Sequence, residues 1–356
     1  MKNLKTQGFI ILDVDVAALN NAGKSTSSQF DNAVATKKIR KGNENYVYVS
    51  GQAWRYWWRN TLEKSFDWNL SPITRDKSIA FTAANPIQYP DDDVFGYMKA
   101  AKEEVTDAKG KKKMENVTVT RVSPLKNSAI ISVAATSVVS HWSSMARHEG
   151  DSVPYAKEEY SAVMKGMFSL DLEQVGTFAN YNKTGFKNLT DKLQESALEN
   201  GASEIADPYI KDSNGEPHKL VRLDKVTRIK RITATLQALK VISGGAMQTN
   251  NLADVTPKFI VLGTMSSGNH PFSHIFTASG AYKQTPTFNL DGLKEVIEDY
   301  SSQFEGTVYI GVRSGFMAKE DYAALEKYVN ETSSVNLLSI NKAIDSYCTD
   351  VEKLIN

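Results

Sequence analysis

The hydrophobic period of this chain changes within one short stretch, and that change constrains the fold more than any other feature. Tyr46-Val47-Tyr48-Val49 alternates with a period of two, as a short strand does. Ser50 then offers an N-cap, and from Gly51 onward the period becomes helical. Trp54, Trp57, Trp58, Leu62 and Phe66 form one apolar stripe at spacings of three and four. That spacing assigns the tryptophans to core packing rather than to a base-stacking platform. Gln52, Arg55 and Arg59 lie along a second, polar face. Between Thr36 and Arg59, six Lys or Arg (37, 38, 40, 41, 55 and 59) face one acid, Glu44. Cations gathered at a helix start are a footprint for a polyanion backbone.

Composition sets the outer bounds. The 356 residues suffice for one large domain or two, with a proper core. A net charge of +1 says nothing global about partners, so any nucleic-acid site must come from local clustering. The single cysteine, Cys348, excludes an internal disulfide and a cysteine zinc site, and fits a reducing compartment. The apolar run Phe9–Leu12 is cut by Asp13, too short for a signal-peptide core, and no stretch approaches a membrane span. The expectation is a cytoplasmic protein with no membrane partner.

Along the chain, residues 7–16 read as a buried strand, followed by a polar loop to Gln29. Residues 67–116 form an insertion broken by Pro72, Pro86 and Pro90. Residues 117–134 alternate as a strand pair, and 135–165 make an extended excursion that returns through Gly166–Leu172. A helix is expected over 185–199. A second basic helix starts near Leu220 and carries Arg222, Lys225, Arg228, Lys230 and Arg231 beside an apolar face; it ends at Gly244-Gly245. A strand at 258–262 and a glycine loop at 266–270 follow. Helices at 291–303, 318–330 and 335–354 and a strand at 306–313 complete the chain. This order predicts an α+β fold, a ferredoxin-like split βαβ sheet with helices on one face and large insertions.

Three constellations point elsewhere and fail on physical grounds. Ala18–Thr26 fits a relaxed phosphate-loop pattern, but Thr26–Asn32 has no apolar stripe to hold down the helix that must close it. His270 and His274 lie four apart without a third ligand at a recognisable spacing, so no metal is expected. Asp13 and Asp15 share one side of a strand, and with Asp31 they outline a metal-dependent RNA endonuclease; the intervening loop adds no acid. No strand–turn–helix nucleophile elbow stands anywhere. The expectation is a protein without catalytic residues or cofactors. The nucleic-acid reading gains from recurrence: the cluster at 37–41, the helix start at 50–59, the basic helix at 222–231 and two glycine loops all fall at strand–helix junctions.

The residues Asn20-Asn21-Ala22-Gly23, Lys37-Lys38-Ile39 and above all Tyr46–Arg59 resemble the DevR-type backbone subunit of type I-B CRISPR surveillance (Cascade) complexes, a branch of the RAMP superfamily. Asp92–Met98, Arg121–Leu125, Phe168–Leu172 and Gly244–Pro257 agree, and the resemblance spans about residues 5–280. It implies an RRM-type palm, a fingers insertion (67–116) and a thumb hairpin (135–165), with copies stacked along a guide RNA as a filament. Carried onto this chain, Asn21, Lys37, Lys38, Arg40, Lys41, Ser50, Gln52, Arg55 and Arg59 would grip the RNA backbone, with Arg228 from the basic helix. Gln248 and Thr249 would complete the cradle. Met145, Met164 and Met167 would supply the thumb's wedge against displaced bases. The implied partners are guide RNA, target DNA paired to it, further copies of the chain, a large subunit, a cap subunit at the guide 5′ end and a repeat-processing endonuclease. The loop Asn20–Phe30 lacks the acid that RNA-cleaving cousins carry. A DNA-binding autoregulator is the other alternative, although no helix-turn-helix spacing supports it.

Overall fold

In a computed structural model, all residues are described except 1–2, 25–32, 77–78, 107–111, 146–148, 184–185 and 281–282. The first strand, Lys5–Ala17, runs through the middle of the main sheet. Along one edge the order continues through Phe259–Met265, Val308–Val312 and Val335–Leu338. Along the other it continues through Val153–Asp171, Ile130–Ser132, Glu44–Val49 and Lys38–Lys41. All these pairings are antiparallel except the last at the C-terminal edge, Val308–Val312 with Val335–Leu338.

The first strand reads as a continuous apolar run because both of its faces are covered. Ile10 and Leu12 join a cluster with Trp54, Trp57, Trp58, Leu62 and Ile344. Phe9 and Ile11 point the other way, into a cluster with Phe259, Phe276, Leu293 and Leu325. One face is roofed by the helices Gly51–Ser65, Lys225–Gln237 and Ile340–Leu354, the other by Leu290–Asp299 and Lys319–Asn330. The α+β class and the palm-with-insertions plan hold; the expectation of helices on one face alone is corrected. The C-terminal segment supplies the second layer, which a strand buried on both sides requires.

Among the described residues, three larger insertions leave this palm, besides the small hairpin Phe276–Ser279/Thr285–Phe288. The first contains the hairpins Thr74–Asp76/Ile79–Phe81 and Tyr97–Thr106/Lys112–Arg121, with the short helix Pro90–Phe95 between them. The second is a hairpin of Val139–Met145 against the first half of Val153–Asp171, in register from Val139↔Glu159 to Met145↔Val153. It is shorter than 135–165, because Ala162–Asp171 already pairs with the first strand. The third is a three-stranded sheet of Thr177–Ala179, Pro217–Arg222 and Ser203–Lys211 beside the helix Asp191–Glu199. Several boundaries move: residues 217–222 are a strand, so the basic helix runs only from Lys225 to Gln237, the helix expected over 185–199 is Asp191–Glu199, the one over 291–303 is Leu290–Asp299, and residues 335–338 are a strand before the last helix.

A buried ionic knot joins the first and third insertions to the palm. Asp93 is fully buried and bonds both Arg121 and Arg231, the latter at 2.7 Å. Its carboxylate also accepts the Gly176 N–H at 2.9 Å. Two guanidinium groups and an amide satisfy an acid that burial alone would not tolerate.

Candidate nucleic-acid interface

Asn20 is the local organiser. Its carbonyl accepts the Lys37 N–H and its side-chain Oδ1 accepts the Ser50 N–H, each at 2.9 Å. One residue therefore pins the start of the cationic hairpin and the start of the tryptophan helix to the end of the first strand. Ser50 caps that helix as its sequence position implies, its Oγ accepting the Ala53 N–H at 3.3 Å. The Gly244-Gly245 loop closes the arrangement, with the Ala246 N–H donating to Leu19 O at 2.9 Å. A Cβ on Gly244 would lie 2.3 Å from the Trp57 ring, so the loop and the helix approach each other on a glycine surface.

The cations stand on the outer edge of this junction. Lys38–Lys41 is the edge strand, and Lys38, Arg40 and Lys41 are exposed. Lys38 Nζ meets Glu158 of the long strand at 2.9 Å, and the same carboxylate accepts the Thr36 N–H at 2.9 Å. Lys41 Nζ sits 4.4 Å from the centroid of the Tyr46 ring. Gln52 is exposed at the helix start, Lys37 is half-buried and Asn21 is exposed at the head of a short strand. Thr249 is exposed, whereas the Gln248 amide turns inward to Gly244 O and Ala253 O and holds its own loop.

Several expected contacts are corrected. The Arg55 guanidinium is consumed by the protein: it donates to Leu125 O and Phe95 O, both at 2.6 Å, to Ser123 Oγ at 2.9 Å and to Asn127 Oδ1 at 3.2 Å. Burial, reinforced by Arg59, lowers its pKa to about 10, and it stays charged at neutral pH. Arg59 lies with its guanidinium 5.4 Å from the Phe95 ring. Arg228 is completely buried and donates to Val175 O, Leu172 O and Asn356 O. It bolts the C-terminus to the palm and is out of reach of any ligand. Arg222 and Arg231 are buried as well, paired with Glu173 and Asp93. Met164 is buried opposite Leu12, and Met167 is half-buried opposite Phe9, so both belong to the palm rather than the thumb. Met145 ends a thumb strand, and its side chain lies outside the described residues.

The rival chemistry finds little geometry. Asp13 and Asp15 are exposed on the first strand; burial and the Asp15 charge push the Asp13 carboxyl up, against Lys258. Asp31 lies outside the described residues. His270 Nε2 bonds Gly8 O at 2.8 Å, and burial holds its pKa below the usual value. Among the described residues no group of three or more His, Cys, Asp or Glu is placed to hold a metal ion.

The interface also contains residues with no periodic or clustered signal. Asn20 and Glu158 act through single hydrogen bonds to backbone. Lys126 stands exposed beside Gln52 in an open groove that also holds Val122 and Asn127. The Arg121–Leu125 motif points to its neighbourhood, but only the fold brings Lys126 beside the helix start.

A family model described as "CRISPR-associated negative auto-regulator DevR/Csa2" matches residues 10–285. The chain belongs to the DevR/Csa2 family. The matched region takes in the Asn20 junction, the cationic edge strand, all three insertions and the Gly244-Gly245 loop, so the family's extent includes the whole candidate interface. Two solved structures are similar over nearly the full length of both chains. One, a chain of a "CRISPR RNA-guided surveillance complex", covers 97% of this chain and 99% of its own at TM-score 0.50 and 10% identity. The other, from a "CRISPR RNA-guided surveillance complex, pre-nicking", covers 98% and 100% at TM-score 0.52 and 10% identity. At that identity the likeness is one of fold. No curated protein matches.

Proposed function

We propose that this chain is a non-catalytic subunit of a cytoplasmic CRISPR surveillance complex, binding guide RNA through the ribose-phosphate backbone and leaving the bases open to target DNA. The observation that carries the reading is the convergence at Asn20. Three segments distant in sequence meet there, with Lys38, Arg40 and Lys41 exposed on the edge strand of the sheet and Gln52 exposed at the start of the tryptophan helix. Cations and amides on regular elements position a strand without reading its bases, which suits a subunit that must accept any guide. Membership of the DevR/Csa2 family and the full-length fold likeness to chains of surveillance complexes support it. Stacked copies along the guide, a type I-B setting, and the large, cap and processing subunits as neighbours belong to the same proposal.

The test is a titration of labelled single-stranded RNAs of unrelated sequence at several salt concentrations. Replacing Lys38, Arg40 and Lys41 together by Ala is expected to lower affinity for all sequences alike. The slope of log affinity against log salt should fall by about 0.7 for each phosphate that the protein no longer neutralises. Unchanged binding, or a loss confined to particular sequences, would overturn the backbone grip. The family's description as an auto-regulator motivates one competitor, a promoter duplex. Preference for that duplex over single-stranded RNA would replace this reading with a DNA-binding one.

A further inference from the structure

Beside the candidate interface lies a cavity of about 500 Å³ between the third insertion and the base of the first. Its volume falls within the range of about 300–1,000 Å³ typical of small-ligand sites. Phe178, fully buried, forms the floor, with the Arg121 guanidinium 4.4 Å from its ring centroid. The Asp207 carboxylate in the wall is held by Lys183 at 2.7 Å and by the backbone N–H of Tyr209 at 2.8 Å. Glu173 is matched by Arg222 at 3.0 Å. Each carboxylate thus has its cation, and Lys126 adds positive charge at the mouth. Two aromatic rings stand at the rim, Phe186 at 44% exposure and Tyr209 at 62%. The hydroxyl of Thr120, in the wall, is buried without a hydrogen-bond partner among the described residues.

This cavity adjoins the groove at the helix start. Val122 and Lys126 line both, and the groove's other wall carries Gln52. A strand lying along the groove therefore passes the mouth of an apolar, aromatic-rimmed recess whose charges do not repel phosphate. We propose that the cavity is a nucleobase subsite, taking one base of the bound single strand between Phe186 and Tyr209 while Lys126 meets its phosphate. The inference rests on the proposed RNA-binding function and adds to it a stacking contact that accepts any base, since every base has a π-face.

The full-length protein is irradiated on oligouridylate containing 4-thiouridine, and the cross-linked peptides are mapped. In parallel, Phe186→Ala with Tyr209→Ala is titrated against oligouridylate and against a ribose-phosphate chain of equal length without bases. Both side chains are exposed, and an unchanged melting temperature confirms that the double variant folds. The proposal expects cross-links at Phe186 or Tyr209. It also expects a loss of roughly tenfold or more in affinity for oligouridylate and none for the base-free chain. Tyr209→Trp is expected to retain wild-type affinity. Cross-links confined to residues 37–59, or equal affinities of wild type and double variant for oligouridylate, would overturn the subsite and leave the backbone reading standing. Absence of single-stranded RNA binding by the wild type would overturn both, and capture of a protein segment in the cavity instead would overturn the subsite.

Discussion

At the residue scale, Arg55 and Arg59 differ although they sit one turn apart on the same helix. Arg55 ties the helix to Leu125 and Phe95 through carbonyls that lose their partner if the guanidinium goes. Arg55→Ala is expected to cost about 2–4 kcal/mol, read as a shift of the urea midpoint. Arg55→Lys should recover little of it, because an ammonium cannot reach four acceptors held in a fork. Asp91 permits a prediction against pH. It is buried at the start of a short helix, its Oδ1 accepting the Ser71 N–H at 2.9 Å, and burial pushes its pKa up to about 6. The native state therefore holds this proton more tightly than the unfolded chain. The stability it contributes is complete below the ordinary value of 3.8 and is lost as pH rises through about 6. The loss amounts to roughly 3 kcal/mol. Asp91→Asn keeps the acceptor and removes the titration, so urea unfolding at pH 5 and pH 7.5 should show the variant gaining on the wild type at the higher pH. An Arg's charge is legible in a sequence, but which acceptors consume it is not, because the acceptors of Arg55 are 40 to 72 positions away.

At the scale of elements, the tryptophan helix behaves as its spacing predicts. Trp54 and Trp58 stack at 5.5 Å and both meet the Phe168 ring edge-on, while Trp58 Nε1 donates to Thr235 O at 2.7 Å. Phe168 in turn fills the space left by a glycine: a Cβ on Gly8 would lie 2.1 Å from its ring. Gly8→Ala is expected to cost about 3 kcal/mol through overpacking of the central strand pair, measured by thermal or urea unfolding. The helix Lys225–Gln237 shows the opposite lesson. Its arginines suggest a solvent-facing basic surface, yet Arg228 and Arg231 are buried among carbonyls and Asp93. Periodicity separates apolar from polar faces, and long guanidinium side chains satisfied by buried acceptors defeat that separation. The boundary at Lys225 is hidden for the same reason, since Arg222 continues the basic pattern in sequence while it ends a strand in space.

At the scale of the molecule, the last 70 or so residues complete the palm rather than append to it. Tyr347, fully buried, bonds Thr264 and Thr6, each at 2.9 Å, and so ties the C-terminal helix to the two central strands. Ile340, Ile344 and Val351 share a cluster with Trp54 and Leu12. A chain ending before Ser339 is expected to lose cooperative unfolding altogether, although the family region stops at residue 285. Circular dichroism with urea titration checks this, and a sharp two-state transition in the truncated chain would contradict it. The strand–helix switch at Ser50, the tryptophan core, the cationic cluster at 37–41 and the class of the fold are all legible in the order of residues, whereas that the cluster forms an edge strand is not. Each is written in residues close together, where a period of two or of three to four reports the local backbone. Three features are legible only in the folded chain: which cations remain available, that both faces of the sheet are covered, and that the groove at Gln52 adjoins an aromatic-rimmed cavity. They depend on segments tens to hundreds of residues apart meeting in space, where burial and hydrogen-bond satisfaction, not local pattern, select the partner.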